Sequence, residues 1–140
     1  MKVVNQGSHK CLDLRAEDGG GRNARVQQWT CFGTSNQRWA TQFVVNSGGL
    51  NWFYIVSQQT NQCMEVRDPA QGNGAQVDQF PCAPDPQQLW AFVPRNGFEQ
   101  VINMSARKCL AVNGGSPADA AKIQQSTCNG SPAQTWAFAA

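Results

Sequence analysis

Charged residues make up only 14% of this 140-residue chain, and they nearly cancel, leaving a net charge of +2. Its lysines and arginines are scattered, so the charge pattern gives no reason to expect nucleic acid or an anionic membrane as a partner. No apolar run approaches the roughly 18–20 residues of a transmembrane helix. The opening Met1-Lys2-Val3-Val4-Asn5-Gln6 has no apolar core of the kind a signal peptide carries. Histidine occurs once, at His9, and no Cys-x-x-Cys is present, which leaves a zinc site without a ligand set. The same scarcity leaves no Ser-His-Asp or Cys-His arrangement, and His9 reads as a turn residue. No catalytic residue, cofactor or metal is expected. Runs of Ala, Leu, Glu and Lys at helical spacing are missing too, which argues against long amphipathic helices.

What is present is abundant Gln, Asn and Gly, with five Trp and six Cys. Short stretches such as Asn51-Trp52-Phe53-Tyr54-Ile55-Val56 and Gln100-Val101-Ile102-Asn103 are bounded by Gly, Pro, Asn and Ser clusters. Alternation between turn formers is the pattern of short strands. The chain reads as a single all-β domain, residues 1–140, long enough to bury a core of its own.

The order within that pattern is a threefold repeat. Asn36-Gln37-Arg38-Trp39 returns as Gln88-Leu89-Trp90 and as Gln134-Thr135-Trp136, each Gln six residues beyond a cysteine (Cys31, Cys82, Cys128). Function is therefore to be read unit by unit. Every unit has one early and one late cysteine, 19 or 20 positions apart. The simplest pairing is one bridge per unit: Cys11–Cys31, Cys63–Cys82 and Cys109–Cys128. Each bridge would stabilise the fold by roughly 3 kcal/mol in the chain-entropy description, less any strain. The first unit opens at Val4 and the third at Ile102, and the two match position for position through Leu14 and Val112. The second opens at Ile55-Val56 and reads as reaching Cys63 through a turn one residue longer. Each unit continues through a Gly- or Ala-rich loop into a second strand (26–29, 77–80, 123–126), and Gln-x-Trp begins a last one. Four strands per unit give about twelve in all.

Cys-Leu-Asp-Leu, Val-Gln-Gln-Trp and Asn-Gln-Arg-Trp, repeated threefold with paired cysteines, resemble the ricin-B-type lectins over essentially the whole chain. The resemblance implies a β-trefoil, a pseudo-threefold barrel capped by hairpins, with repeats at approximately 1–46, 47–95 and 96–140. It implies that Trp39, Trp90 and Trp136 belong to the core, each ring N–H finding a backbone acceptor.

Binding then rests on positions that differ between units. A sugar is held by a carboxylate that accepts from paired hydroxyls, an amide that both donates and accepts, and an aromatic plate against its C–H face. The first unit has the whole set in Asp13, Gln27, Trp29 and Asn36, with Gln37 tying its turn to the backbone and touching Asp13. In the resembling lectins these positions form a shallow sugar pocket. The second unit keeps the chemistry in kind with Glu65, Asp78, Phe80, Gln87 and Gln88, which makes it a second candidate site. Its two facing acids would repel unless one is paired, and Arg67 is positioned for that role. The third unit has Ala111 and Ser126 where the acid and the ring should be, and only Gln124 and Gln134 remain; this pocket is expected to be dead.

These features imply a non-catalytic lectin or carbohydrate-binding module. The resemblance favours galactose-type sugars, on mono- or oligosaccharides, glycoconjugates or plant polysaccharide. One alternative is a xylan- or arabinoxylan-targeting module of a glycoside hydrolase; another is a protein-interaction or toxin-delivery trefoil with degenerate pockets. Bridged cysteines imply an oxidising compartment, hence a domain or mature fragment of a secreted protein with Met1 added for expression.

Overall fold

A computed structural model describes all 140 residues as twelve strands, joined by turns and five one-turn 3-10 helices. The first repeat contributes β1 (Lys2–Asn5), β2 (Cys11–Leu14), β3 (Val26–Trp29) and β4 (Trp39–Ser47). The second contributes β5 (Leu50–Ser57), β6 (Cys63–Val66), β7 (Val77–Phe80) and β8 (Trp90–Arg95). The third contributes β9 (Phe98–Asn103), β10 (Cys109–Val112), β11 (Ile123–Ser126) and β12 (Thr135–Ala139).

Six strands form a barrel in the order β4-β5-β8-β9-β12-β1. It closes where Met1 and Trp39 exchange hydrogen bonds of 2.8 and 2.9 Å between N and O. The hairpins β2–β3, β6–β7 and β10–β11 cap it, and isolated bridges between them (Arg25 with Asp78, Gln27 with Lys122, Gln76 with Gln124) join the three units. This is the β-trefoil.

Barrel strand meets cap at Val4↔Cys11, Val56↔Cys63 and Ile102↔Cys109. The second turn is therefore the same length as the others, and the extra residue expected from counting at Ile55 is not there: Val56, not Ile55, is the counterpart of Val4. Each hairpin is closed by its own disulfide, in the expected pairing, with Cα–Cα distances of 5.2, 5.0 and 5.1 Å. β4, at nine residues, is the longest of the three strands that Gln-x-Trp begins. Gly48 and Gly49, at φ 61° and 81°, form a two-residue turn that lets β4 and β5 pair out to Ser47↔Leu50.

The core gathers equivalent residues from the three units: Leu12, Met64 and Leu110; Leu14, Val66 and Val112; Val26, Val77 and Ile123. Trp39, Trp90 and Trp136 lie among them, fully buried, and each indole N–H donates to a cap carbonyl, on Leu12, Met64 and Leu110 at 3.2, 3.0 and 3.0 Å. Burying such rings while satisfying their polar atom is what keeps the motif in every unit.

A second set of ties runs between units. The buried Gln28 donates to Ser116 O and Ala118 O, Gln79 to Gly20 O and Gly21 O, and Gln125 to Ala70 O and Gly72 O, all at 2.7–3.1 Å. Each glutamine holds the loop of a neighbouring repeat, in a closed cycle. Ser8 Oγ donates to the Gln28 oxygen and Thr60 Oγ1 to that of Gln79, whereas Gln125 Oε1 is buried without a donor. The equivalent position in the third repeat is Ala106, which has no hydroxyl.

Candidate functional site

Asp13 and Gln27 are cross-strand partners on β2 and β3, and Trp29 follows two residues later on the same face of β3. The 3-10 turn at Ser35–Gln37 brings Asn36 and Gln37 up to the same place. All five residues line one cavity of about 170 Å³. Asp13, only 5% exposed, is the hub. Its Oδ1 accepts from Gln27 Nε2 at 3.1 Å; its Oδ2 accepts from Gln37 Nε2 at 2.9 Å and Asn36 Nδ2 at 3.2 Å. Burial pushes the Asp13 carboxyl above its ordinary value, and the three amides pull against that shift without cancelling it. Gln37 also accepts from Phe32 N at 2.8 Å and donates to Thr30 O at 2.9 Å, so one side chain fixes both the turn and the acid.

The second repeat is built differently around the same frame. Glu65 and Asp78 are the matching cross-strand pair. Arg67 Nε donates to Asp78 Oδ2 at 2.6 Å and Asn23 Nδ2 donates to the same oxygen at 2.9 Å. Of the two acids it is thus Asp78 that Arg67 pairs. Asp78 is fully buried, and its Oδ1 faces no donor. Glu65, 5% exposed, is pushed up to about 8, by burial first and then by the Asp78 carboxylate. Both causes favour the protonated form of Glu65. A protonated Glu65 donating to its cross-strand partner accounts for the orphaned Asp78 oxygen.

Glu65, Phe80 and Gln87 line a cavity of about 240 Å³; Asp78 and Gln88 do not reach it. Gln88 instead accepts from Ala83 N at 2.8 Å and donates to Pro81 O at 3.0 Å, the counterparts of two of the Gln37 bonds. The Phe80 ring is covered by the Arg22 guanidinium, 5.2 Å from its centroid. Another cavity, about 360 Å³, lies among barrel residues including Phe92, Phe98 and Phe138, but it does not gather the acid, amide and ring that the first repeat brings together.

The family pattern of the ricin-type beta-trefoil lectin domain matches residues 51–140, and that of the ricin-type beta-trefoil lectin domain-like group matches residues 1–80. The chain belongs to the ricin-type beta-trefoil lectins. Among solved structures, this lectin domain is similar to ThreeFoil, a designed threefold-symmetric protein, at 25% identity and TM-score 0.89, covering 96% of this chain and 94% of that one. It is also similar to an exo-beta-1,3-galactanase from Clostridium thermocellum, at 26% identity and TM-score 0.87, covering 96% of this chain but 28% of the enzyme. The earthworm R-type lectin C-half, solved in complex with GalNAc, shares the fold at 16% identity and TM-score 0.71, over 97% of this chain and 94% of that one. No curated protein matches the chain.

The cavity of the lectin domain's third repeat, about 220 Å³, is lined by Ala111, Gln124, Ser126, Asn129 and Gln134 among others, with no carboxylate and no aromatic ring. Four further residues line the first pocket, Ala16, Glu17, Phe32 and Thr34, and two of them bear on its shape. Thr34 Oγ1 donates to Asn36 Oδ1 at 2.6 Å and so sets the orientation of that amide. Phe32 also lines the cavity and is 68% exposed. The signal that could have found it is the position itself, directly after the closing cysteine, where the other units have Ala83 and Asn129.

Proposed function

We propose that this domain binds carbohydrate without catalysing a reaction, through the first-repeat pocket. The observation that carries the reading is Asp13, a nearly buried carboxylate oriented by three side-chain amides beside the half-buried Trp29. An ionised carboxylate only accepts, so it suits two adjacent sugar hydroxyls, and Asn36 adds a group that can donate and accept. The amides hold the acid in place before the ligand arrives, which removes an ordering cost from binding. Trp29 offers the apolar plate.

Galactose-type sugars are the preferred ligand, a reading supported by the 26% identity to the exo-beta-1,3-galactanase. Glu65, Phe80 and Gln87 form an auxiliary site from which Arg22 must first withdraw; the third pocket holds no sugar. Three disulfides suit a secreted protein. A shallow pocket for one ring gives a Kd on the order of 1 mM, or about −4 kcal/mol, so useful retention comes from several sites meeting one polymer or surface.

The test is a glycan array followed by titration calorimetry with galactose and xylose oligomers, on the parent and on Asp13→Ala. The variant should keep its fold, seen as an unchanged circular dichroism spectrum, and lose binding at least tenfold. Undiminished binding by Asp13→Ala refutes the site. A preference for xylose oligomers replaces galactose by xylan as the target; binding of no glycan leaves a protein-contact trefoil.

A further inference from the structure

Phe32 is the most exposed large apolar side chain of the chain, at 68%, ahead of Phe43 at 55%. A ring this open to water contributes little burial energy to the fold, so packing does not account for it. The fold does not require an aromatic ring here. In all three repeats the residue after the closing cysteine donates its backbone N–H to the Gln-x-Trp glutamine, at 2.8 Å each time: Phe32 to Gln37, Ala83 to Gln88 and Asn129 to Gln134. In all three it also borders its unit's cavity. The turn is thus identical, yet an exposed ring stands only where the acid, amide and Trp are complete.

The main chain that carries the ring is also held in place. Cys31, one residue before, is bridged to Cys11 on β2, two residues from Asp13. Gly33, one residue after, takes φ 73°, a left-handed bend that an L side chain rarely adopts. The main chain at Phe32 is therefore fixed relative to the acid. Asp13, Gln27, Asn36 and Gln37 hydrogen-bond to one another around the carboxylate, so the pocket's polar recognition is concentrated at one spot, and Trp29 stands beside it. That set is sufficient for a single ring.

We propose that Phe32 is a second stacking plate, which receives the sugar residue next to the one held by Asp13 and Trp29, so that the first-repeat pocket selects an oligosaccharide over its monosaccharide. The inference rests on the first-repeat pocket being the sugar site and adds a ring to it. An aromatic plate against a pyranose face adds both apolar contact and a specific geometry. Because Ala83 and Asn129 lack the ring, the other two pockets cannot supply the same selectivity.

The experiment compares galactose with β-1,3-galactobiose, and xylose with β-1,4-xylobiose, by calorimetry or chemical-shift titration on the full 140-residue chain. It uses the parent, Phe32→Ala, Phe32→Tyr and Asp13→Ala, each checked for a native spectrum. The parent should bind the preferred disaccharide about three- to tenfold more tightly than its monosaccharide. Phe32→Ala should erase that advantage, bringing the two Kd values to within about twofold of each other, and Phe32→Tyr should restore it. Equal loss for both ligands in Phe32→Ala, or a parent with no preference for the disaccharide, overturns the proposal while leaving the pocket intact. Unchanged binding in Asp13→Ala, or no binding of either series by the parent, refutes the pocket itself and Phe32's role with it.

Discussion

Replacing Glu65 by Gln should change how the domain's stability depends on pH, and in a direction opposite to the usual carboxylate. An acid stabilised in its charged form gives stability that is lost on acidification. Glu65 is the reverse: folding raises its pKa from the ordinary 4.5 to about 8, so the folded chain keeps a proton that the unfolded chain has released. Between those two values the unfolded state binds fewer protons, and stability must fall as pH rises, by at most about 1.4 kcal/mol per pH unit from this one group. Below about pH 4.5 the penalty is absent; above about 8 it is complete, and a few kcal/mol in size. The physical cause is first the burial of Glu65 and then its cross-strand partner Asp78, a fully buried side chain to which Arg67 and Asn23 donate on one oxygen only. In Glu65→Gln the amide N–H₂ can donate to Asp78 Oδ1 at every pH. Urea unfolding of parent and variant at pH 5, 7 and 9 reads the difference directly, since all other titrations cancel. The two should be alike to within about 1 kcal/mol at pH 5, with the variant more stable by roughly 2–4 kcal/mol at pH 9. A difference that stays constant across that range refutes the shared proton.

The missing hydroxyl at Ala106 gives a second prediction: Ala106→Ser should supply Gln125 Oε1 with the donor that Ser8 and Thr60 give its counterparts, raising stability by about 1 kcal/mol in the same urea assay. Trp39→Ala should cost about 3–5 kcal/mol, because it removes a fully buried ring and strands the Leu12 carbonyl, and any loss of sugar binding should track unfolding. Sugar binding should weaken on acidification with a midpoint above 3.8, since burial raises the Asp13 carboxyl and its neutral form cannot accept from two hydroxyls. Titrations of the best ligand between pH 7 and 3.5 check this, and a midpoint below 3.8 contradicts it.

What the sequence made legible is what repeats or what acts locally. The disulfide pairing and the twelve strands follow from offsets that recur three times, and the trefoil from their likeness to a known family. The first pocket was readable because its donors hang on two paired strands and one turn, all within one disulfide-closed unit and the turn that follows. What escaped depends on partners far along the chain. Gln28 is a polar residue on the same strand face as the core residue Val26, and nothing local shows how it is satisfied: its acceptors lie on a loop of another repeat 88 and 90 positions away. Asp78 looked like a ligand-binding acid for the same reason: one of its anchors, Asn23, comes from the first repeat, 55 positions away.

These distant ties also explain how the three pockets can differ without loss of the fold. Each scaffold side chain donates to backbone acceptors, not to pocket residues: the indoles to Leu12, Met64 and Leu110, the cross-repeat glutamines to loop carbonyls. The Gln-x-Trp glutamines keep two backbone bonds in every unit, and Gln37 has a third, to a carboxylate at 2.9 Å. Losing the acid, as Ala111 does, therefore removes one optional bond and leaves the turn standing. Replacing it by Glu65 next to Asp78 removes the charge instead, through a shared proton. The fold tolerates both, so the three pockets can diverge in chemistry while the scaffold around them stays the same.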